Sequence, residues 1–350
     1  MTAQARSFAE VGLFTGVPQH DNFHRLASMF ETKTLRPSAQ PWRLKQGESL
    51  TLPRTFRFGG RTVDTGESLA RTDTCALLVL HDGAIVHEEY RHTGGADVPW
   101  ISWSVAKSFI SALVGIALAD GLIRSVDDPI SDYIKVPPGS AYDGVRIDHV
   151  LQMASGARWD EDYADPTSDI SRLMDVLNGR ETVDGLVAAM VKDIPPGTVC
   201  RYNSGDTQAL GLLVERATGR TITDFMQERL CEPLGLEDPG TWLLDCAGKE
   251  MAFGGLNLTA RDYAKFGELY RLGGIREGTR ILSPEWVADS VTLRPDSASR
   301  RRAEIAGETF PEGYGYQWWL PANSHGDYTA IGIYNQFVYV APREGVVAVK

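Results

Sequence analysis

The stretch SWSVAKSFISALVGIALADGLI, residues 102–123, places a serine and a lysine at the start of a long apolar run. Ser104 and Lys107 are three positions apart, and on a helix such residues share one face. The residues that follow include too few polar positions for a surface helix, so the segment predicts a buried helix that ends near Gly121. An ammonium group is therefore expected beside a hydroxyl in apolar surroundings.

This pair has the chemistry of an activated nucleophile. A serine hydroxyl attacks a carbonyl only when a neighbouring group accepts its proton. Lys107 can do so if its pKa falls, and both desolvation and the partial positive charge of a helix N-terminus act in that direction. The backbone N–H of Ser104 would be free at the helix start to bind the resulting oxyanion. Because Ser-x-x-Lys occurs about once by chance in such a chain, the alternative is a surface lysine after an N-capping serine.

The composition is that of an ordinary globular protein. Of the 350 residues, 43% are hydrophobic and 23% charged, and the formal net charge of -11 disfavours nucleic acid and anionic membranes as partners. We recognise no membrane-spanning run and no secretory signal, so the expected location is cytoplasmic. The four widely spaced cysteines, Cys75, Cys200, Cys231 and Cys246, predict reduced thiols.

No cofactor and no metal are predicted. The chain contains no Gly-x-Ser-x-Gly elbow, Walker loop or dinucleotide fingerprint. The stretch HEEYRH, residues 87–92, has histidines five apart on a predicted strand, so they cannot share a helical face as in zinc proteases. The three arginines at 300–302 are interpreted as part of a solvated loop.

The order of patterns along the chain predicts three regions. Residues 1–74 are an irregular lead-in packed on the core, residues 75–121 plus 252–350 form an α/β sheet lobe, and residues 122–251 form a helical lobe. The active site is expected between the lobes. Since the final predicted strand runs to Lys350, either the lead-in or further residues should cover one face of the sheet.

Several elements carry specific turn or cap signals. CALLVLHDGAIVHEEYR predicts a hairpin with its turn at His81-Asp82-Gly83. TARDYAKFGELYRLGG predicts a helix capped by Thr259, with Asp262 at the N3 position of the capping box. RIDHVLQMASG, TVDGLVAAMVKD and DTQALGLLVERATG predict further helices. YGYQWWL and NQFVYVAPREGVVAVK predict strands, the latter forming a pair joined at residues 342–345.

A second reactive candidate is Tyr202, in IPPGTVCRYNSGDTQALGLLVERATG, residues 194–219. A Pro-Pro-Gly turn places this tyrosine on a loop directly before an amphipathic helix. Its hydroxyl could take up or relay the proton of a serine if cations stabilise the phenolate, or it could share a proton with Lys107. The alternative is a packing tyrosine with a satisfied hydroxyl.

Three motifs together resemble the serine β-lactamase and penicillin-binding-protein superfamily. They are SVAK (104–107), PPGTVCRYNS (195–204) and GGLNLTARDYAKFG (254–267), in the superfamily's order and approximate spacing. Within it, the chain is most similar to the branch of esterases and 6-aminohexanoate-dimer hydrolases related to class C β-lactamases, also through MASGARWDEDYADP and GYQWW. The resemblance covers about residues 75–350. It implies an α/β (α+β) fold in which helices flank an antiparallel sheet and a mostly helical lobe is inserted.

The resemblance also implies roles for individual residues. Ser104 matches the acylated nucleophile, Lys107 its lysine partner and Tyr202 the tyrosine of the Tyr-x-Asn box, and which of Lys107 and Tyr202 is the acylation base stays open. The second oxyanion N–H would come from Ile333. Residues of the substrate site would be Tyr163, Ser204 and Trp319, with ordinary packing as the alternative for the tyrosine and the tryptophan.

Departures from the family pattern bear on the substrate. Ser204 replaces the asparagine of the Tyr-x-Asn box, as in the nylon-oligomer branch, and AIGIYNQ stands where β-lactamases carry a Lys-Thr-Gly or His-x-Gly box. In β-lactamases the lysine or histidine of this box helps to hold the carboxylate of the β-lactam. Its absence here weakens the case for turnover of β-lactams. Met174 and Phe253 stand where nylon-oligomer hydrolases can carry polar residues, which favours a less polar substrate.

The function predicted is therefore a serine hydrolase that cleaves a small carboxylic ester or linear amide through an acyl-enzyme on Ser104. One alternative is a β-lactamase or D-Ala-D-Ala carboxypeptidase. A further alternative is a catalytically silent binding protein on the same scaffold. The expected partner is a small-molecule ester or amide, and no oligomeric state is predicted.

Overall fold

The computed structural model describes residues 19–293, 304–305, 308–309, 313–321 and 325–350. Short 3₁₀ turns lie at Leu26–Ser28, Trp103–Val105 and Ile130–Asp132, and a π-helical turn at Gln227–Cys231. The described residues contain eleven α-helices: α1 (His20–Phe23), α2 (Thr65–Arg71), α3 (Ala106–Ala119), α4 (Ile147–Leu151), α5 (Asp169–Leu177), α6 (Val183–Ala189), α7 (Ser204–Thr218), α8 (Ile222–Met226), α9 (Glu232–Leu234), α10 (Ala260–Arg271) and α11 (Pro284–Ser290).

The strands of the described residues form a large sheet, a smaller sheet and three isolated hairpins. The hairpins are β3–β4, β10–β11 and β12–β13. In chain order the strands are β1 (Thr32–Leu35), β2 (Lys45–Gln46), β3 (Thr55–Phe58), β4 (Arg61–Asp64), β5 (Ala76–His81), β6 (Ala84–Tyr90), β7 (Trp100–Ile101), β8 (Gly240–Leu243), β9 (Leu256–Leu258), β10 (Ile275–Arg276), β11 (Thr279–Arg280), β12 (Glu304–Ile305), β13 (Glu308–Thr309), β14 (Gly313–Tyr314), β15 (Trp319–Leu320), β16 (Tyr328–Gly332), β17 (Gln336–Ala341) and β18 (Val346–Val349).

The large sheet has eight strands in the order β14-β15-β16-β17-β18-β5-β6-β2. Its pairs are antiparallel except for β2 with β6. Every second residue of the central strands is buried on one face, which lies against α10: Leu78, Leu80, Val338, Val340, Val347 and Val349. Gly267 permits this close approach, because a Cβ there would lie 2.7 Å from Val347 Cγ1. The α/β architecture predicted from sequence is confirmed.

The hairpin and cap signals were read correctly. β5 and β6 join at the turn of Asp82 and Gly83, where φ is positive, and β17 and β18 join through residues 342–345. Thr259 caps α10 by accepting a hydrogen bond from the backbone N–H of Asp262. The described cysteines Cys75, Cys200, Cys231 and Cys246 are free thiols.

Three predictions were incomplete. Residues 19–74 are more regular than an irregular lead-in, because they supply β1 to the small sheet β1-β8-β9-β7, β2 to the large sheet, a hairpin and α2. YGYQWWL is two short strands rather than one, since Gln317 adopts a positive φ of 62° and its backbone N–H bonds to Leu151 O. Helix α5 was not predicted, although Ile170, Met174 and Leu177 recur at helical spacing. The arginines at 300–302 lie outside the described residues.

The buried helix predicted from the opening stretch is α3. Residues 106–117 are all buried, and α3 packs along α7 in the centre of the molecule. The N-terminal ends of these two helices meet, so that Ser104 and Lys107 face Ser204 although 97 residues separate Lys107 from Ser204. The helix pair therefore positions the candidate site.

Candidate active site

Lys107 lies in the first turn of α3, one turn after Ser104, and its side chain is buried, with 1% of the residue exposed. Its Nζ donates to Ser104 Oγ at 3.0 Å, to Ser204 Oγ at 3.0 Å and to the carbonyl oxygen of Phe253 at 2.9 Å. An ammonium group has three protons, so these acceptors satisfy all of them and set its orientation. The proximity expected from the i,i+3 spacing is present.

Burial lowers the pKa of Lys107 to about 8, while the negative charge of Glu161 acts in the opposite direction. Desolvation disfavours the charged ammonium because the apolar surroundings replace water. A usable fraction of Lys107 is therefore neutral at mildly alkaline pH and can accept a proton.

The backbone before Ser104 has an unusual conformation. Trp103 has a φ of 43°, in the left-handed region, which costs a bulky residue about 1–3 kcal/mol. Phe23 packs edge-on against the Trp103 ring, at a centroid distance of 5.4 Å, and against Tyr334 at 5.1 Å. The segment that precedes the sheet lobe thus supports the residue next to the candidate nucleophile.

The start of α7 carries the second group of side chains. Asn203 caps this helix by accepting from the backbone N–H of Asp206, and Ser204 is its first residue. The buried Asp206 carboxylate accepts hydrogen bonds from Tyr142, Ser155 and Asn203, and burial raises its pKa to about 7. These bonds hold the loop that carries Tyr202.

Tyr202 lies in a small apolar cluster separate from the main core, with Trp319 stacked on its ring at 5.3 Å. Lys107 Nζ is 5.2 Å from the ring centroid. Burial raises the pKa of Tyr202 above its usual value, as does the charge of Glu161, whereas a hydrogen bond with the Ser104 hydroxyl acts in the opposite direction. The phenol therefore remains protonated near neutral pH.

Glu161 is a buried carboxylate that the sequence interpretation did not single out. It accepts from Ser204 Oγ at 2.6 Å and Ser204 N at 3.2 Å, from Tyr163 Oη at 2.9 Å, and from the indole N–H of Trp159. Only 1% of the residue is exposed. The i,i+2 spacing of Trp159, Glu161 and Tyr163 could have indicated that these three side chains lie together, because alternate residues of an extended segment point to one side.

A cavity of about 120 Å³ opens beside Ser104. Its walls are mostly apolar but include hydroxyl groups, and none of its lining side chains is charged. The lining residues are Trp103, Ser104, Tyr163, Ile170, Ser171, Met174, Leu177, Ser204, Phe253, Gly254 and Ile333.

Ile333 follows β16, whose last residue approaches the backbone of Ser104. A Cβ on Gly332 would lie 3.5 Å from Ser104 N and 2.5 Å from Ser102 O, so a side chain there would disturb this contact. The end of the strand and the start of the helical segment thus form one edge of the cavity.

Most of the predicted residues converge on this cavity. Ser104, Tyr163, Ser204 and Ile333 line it. Tyr163 is half exposed, with its hydroxyl end buried against Glu161. Trp319 differs from the expectation of a pocket aromatic, because it stacks behind Tyr202 and is not among the lining residues.

A model of one protein family, described as Beta-lactamase, matches residues 65–350. The chain belongs to the Beta-lactamase family. This β-lactamase-family protein is 32% identical over 298 residues to the 6-aminohexanoate-dimer hydrolase of Paenarthrobacter ureafaciens. The aligned region covers 83% of this chain and 75% of that protein. Penicillin-binding protein 4 of Amycolatopsis lactamdurans is 28% identical over 320 residues, covering 78% of each chain.

Solved structures agree on the fold of this β-lactamase-family protein. A structure from Bacillus anthracis, described as a 6-aminohexanoate-dimer hydrolase, superposes with a TM-score of 0.86 at 22% identity, covering 99% of this chain and 90% of that one. The resemblance found in the motifs is confirmed, and the protein is a serine hydrolase of the β-lactamase and penicillin-binding-protein superfamily. Within the described ranges, no helix combines the length and apolar character needed to cross a bilayer.

Proposed function

We propose that this protein hydrolyses a small carboxylic ester or linear amide through an acyl-enzyme formed on Ser104. The observation that carries the proposal is the buried Lys107 Nζ, 3.0 Å from Ser104 Oγ, with a pKa lowered to about 8. A desolvated amine beside a hydroxyl can remove its proton as the oxygen attacks. The similarity to a 6-aminohexanoate-dimer hydrolase supports a linear amide as one candidate substrate.

The two candidate bases take different parts in the proposed acylation. Neutral Lys107 accepts the proton of Ser104 as Oγ bonds to the carbonyl carbon. Tyr202, whose pKa is raised by burial, stays protonated and donates to the leaving oxygen or nitrogen when its bond to that carbon breaks. Water then attacks the ester on Ser104 and gives its proton to the phenolate of Tyr202. Protonated Lys107 returns its proton to the departing Oγ, so all three groups regain their starting protonation states. Lys107 thus acts as base and Tyr202 as acid in the first step.

The oxyanion would be held by two backbone N–H groups, those of Ser104 and Ile333. Ser104 lies at the N-terminal end of a helical segment, where N–H groups lack intrahelical acceptors and the helix dipole favours negative charge. Ile333 lies on the adjoining edge of the cavity. Such preorganised donors stabilise charge that develops only during attack.

Glu161 is proposed as a positioning residue that acts through Ser204. Its carboxylate holds the Ser204 hydroxyl, which in turn accepts a hydrogen bond from Lys107. These two hydrogen bonds orient the Lys107 amine, and the Ser204 hydroxyl lies between that amine and the negative charge of Glu161. Glu161 therefore balances the desolvation of Lys107 without forming a direct ion pair that would keep it protonated.

The pH dependence tests these assignments together. Because Lys107 must be neutral to accept a proton, kcat/KM for an ester is expected to rise as pH passes about 8. The charge of Glu161 raises the pKa of Lys107, so Glu161→Gln should move this limb to lower pH. The measurement is kcat/KM against pH for both forms, with the exposed Asp160→Asn as the matched control.

Two results would contradict this scheme. A limb that stays in place or moves to higher pH in Glu161→Gln would show that the carboxylate does not act on the titrating base. A limb far above pH 8 in the unmodified enzyme would assign the base to Tyr202, whose pKa is raised above its usual value, instead of Lys107.

The cavity walls indicate an apolar acyl group. Ile170, Met174, Leu177 and Phe253 contribute hydrocarbon surface, and no lining side chain offers a charge to pair with an ammonium or carboxylate. Burying an unpaired charge there is unfavourable. We expect kcat/KM for p-nitrophenyl butyrate to exceed that for the 6-aminohexanoate ester by at least about tenfold.

A variant of the wall makes this preference testable. Met174→Asp adds a carboxylate to the wall and should narrow the ratio of the two kcat/KM values, whereas Met174→Leu keeps the wall apolar and should preserve it. Equal kcat/KM values for both esters in the unmodified protein would refute an apolar acyl site.

Acyl-enzyme formation is tested directly by labelling. A fluorophosphonate probe should add one label, mapped to Ser104 by peptide mass spectrometry, and brief exposure to a p-nitrophenyl ester should give the matching mass increase. Absence of both adducts in folded protein would favour a silent binding protein. Rapid repeated turnover of nitrocefin would favour the β-lactamase alternative over the esterase and amidase function.

A further inference from the structure

Three side chains from distant parts of the chain meet where the N-terminal segment joins the sheet lobe. His20 lies in α1, Asp73 follows α2 and His92 follows β6. We propose that His20, Asp73 and His92 form a binding site for a divalent transition-metal ion, with Zn²⁺ as the reference ion. The site is independent of the cavity beside Ser104 and of the function proposed there.

The distances suit a single ion. His20 Nδ1 is 2.7 Å from Asp73 Oδ2, and His92 Nε2 is 3.7 Å from Asp73 Oδ1. All three ligand atoms lie within 4.8 Å of one another. Bonds of about 2.0–2.2 Å to Zn²⁺ place tetrahedral ligand atoms roughly 3.4 Å apart, between the two distances observed, so modest side-chain rotations complete the geometry.

The surroundings of His20 are those of a metal ligand. Its second nitrogen, Nε2, faces Asp21 Oδ1 at 3.5 Å, while Nδ1 points to Asp73. A carboxylate near the far nitrogen of an imidazole can orient a histidine that binds a metal through its other nitrogen. Here that other nitrogen is Nδ1, which lies within hydrogen-bond distance of Asp73 Oδ2, and an ion would take the place of this hydrogen bond. The rings of His20 and His92 are stacked, with their centroids 4.5 Å apart. The two imidazoles and the carboxylates of Asp73 and Asp21 place nitrogen and oxygen donors together, as a cation site requires.

The site is also accessible. The side chains of Asp73 and His92 are each 40% exposed, and that of His20 is 18% exposed. His20 and Asp73 border a cavity of about 490 Å³, which leaves room for water or a small ligand at an open coordination position. Lys350 is a nearby cation whose charge acts on Asp73.

This proposal departs from the sequence interpretation, which predicted no metal site in the HEEYRH stretch, residues 87–92. Its two histidines do not act together: His87 lies on β6 near Glu89, at 3.6 Å, whereas the chain turns after the strand and carries His92 towards His20. His92 has a φ of 53°, and Thr93 Oγ1 donates to His20 O at 2.6 Å. The two residues of this hydrogen bond are 73 positions apart, so only the fold brings the histidines together.

An ion here would fasten the N-terminal segment to the sheet lobe. Three residues after His20, Phe23 contacts Trp103 and Tyr334, which neighbour Ser104 and Ile333. Binding to the folded state alone raises stability by mass action. Zn²⁺ is therefore expected to raise the unfolding temperature of the protein.

Calorimetric titration of the full chain with Zn²⁺ tests the site. We expect one ion per chain in the unmodified protein and in His81→Ala, a matched control with an exposed imidazole at the end of β5. Asp73→Asn and His92→Ala should lose binding, and Asp21→Asn should weaken it about tenfold to a hundredfold. Co²⁺ should give the intense visible absorption of a four-coordinate site only in the proteins that bind.

The variants are compared as folded proteins. Unfolding temperatures in the presence of a chelator establish that each variant folds, and Zn²⁺ should then raise the temperature for the unmodified protein and His81→Ala but not for Asp73→Asn or His92→Ala. The proposal is overturned if the unmodified protein takes up no Zn²⁺, or if Asp73→Asn and His92→Ala bind it as the unmodified protein does.

Discussion

Replacing Ser104 with alanine is expected to abolish hydrolysis of p-nitrophenyl esters, with a loss in kcat of at least about a thousandfold. The hydroxyl supplies the oxygen of the proposed acyl-enzyme, so no neighbouring group can replace it in the same step. Ser104 is only partly buried, and its loss leaves Lys107 with two acceptors, Ser204 and Phe253 O. The fold should therefore persist. Initial rates and circular dichroism measure the two properties.

Ser108→Ala is the matched control for this substitution. Ser108 lies one turn further along α3, is buried and donates to Gln317 O at 2.7 Å, away from the cavity. We expect this variant to retain most of the activity although it loses a buried hydrogen bond. Near-normal turnover by Ser104→Ala, or equal losses in both variants, would refute the assignment of Ser104 as nucleophile.

The second large effect is expected from Lys107→Met, which should lower kcat/KM by about a thousandfold or more while changing stability little. The direct partners of the ammonium are two hydroxyls and a carbonyl rather than a carboxylate. Glu161 keeps its bonds to Ser204, Tyr163 and Trp159 when the lysine is removed. Replacing a buried charge by an apolar side chain of similar length also removes its desolvation cost.

Lys265 is the matched comparison, because it is equally buried but directly paired. Its Nζ lies 2.8 Å from the buried carboxylate of Asp262 and 3.3 Å from that of Glu237. Lys265→Met leaves Asp262 uncompensated, and we expect it to lower the free energy of unfolding by about 3–5 kcal/mol. Activity of the remaining folded protein should be largely kept.

Urea unfolding and kcat/KM of the two variants separate a catalytic lysine from a structural one. The assignments fail if Lys107→Met loses stability but keeps its activity, since the lysine would then have a structural role. They fail equally if Lys265→Met is as stable as the unmodified protein.

Much of the fold was predictable where the signal is local. The apolar pattern of residues 105–118 has no polar face, so it could be stable only as the buried helix α3. The turn at Asp82 and Gly83 and the cap at Thr259 depend on a few consecutive residues and were predicted correctly. The regular elements of residues 32–71 were missed, because short strands such as β1 and β2 are stabilised by partners far along the chain.

The candidate site divides in the same way. The i,i+3 spacing of Ser104 and Lys107 follows from helix geometry, and the loop before α7 marks Tyr202. Glu161 contacts Ser204 across 43 residues, so the alternation of residues 159, 161 and 163 can mark the carboxylate but not its partner. Trp319 was expected at the pocket from resemblance, but packing of β15 places it behind Tyr202.

By itself, the amino-acid sequence determined the buried helix, the proximity of a hydroxyl and an amine at its start, and the family, because each follows from periodicity or from motifs of a few adjacent residues. Only the tertiary structure decided which distant groups surround that amine, how apolar the cavity beside it is, and that His20, Asp73 and His92 meet. Those properties depend on how α3, α7 and the sheet pack. Packing energy is the sum of many weak contacts between segments far apart in the chain, which no short stretch of sequence encodes.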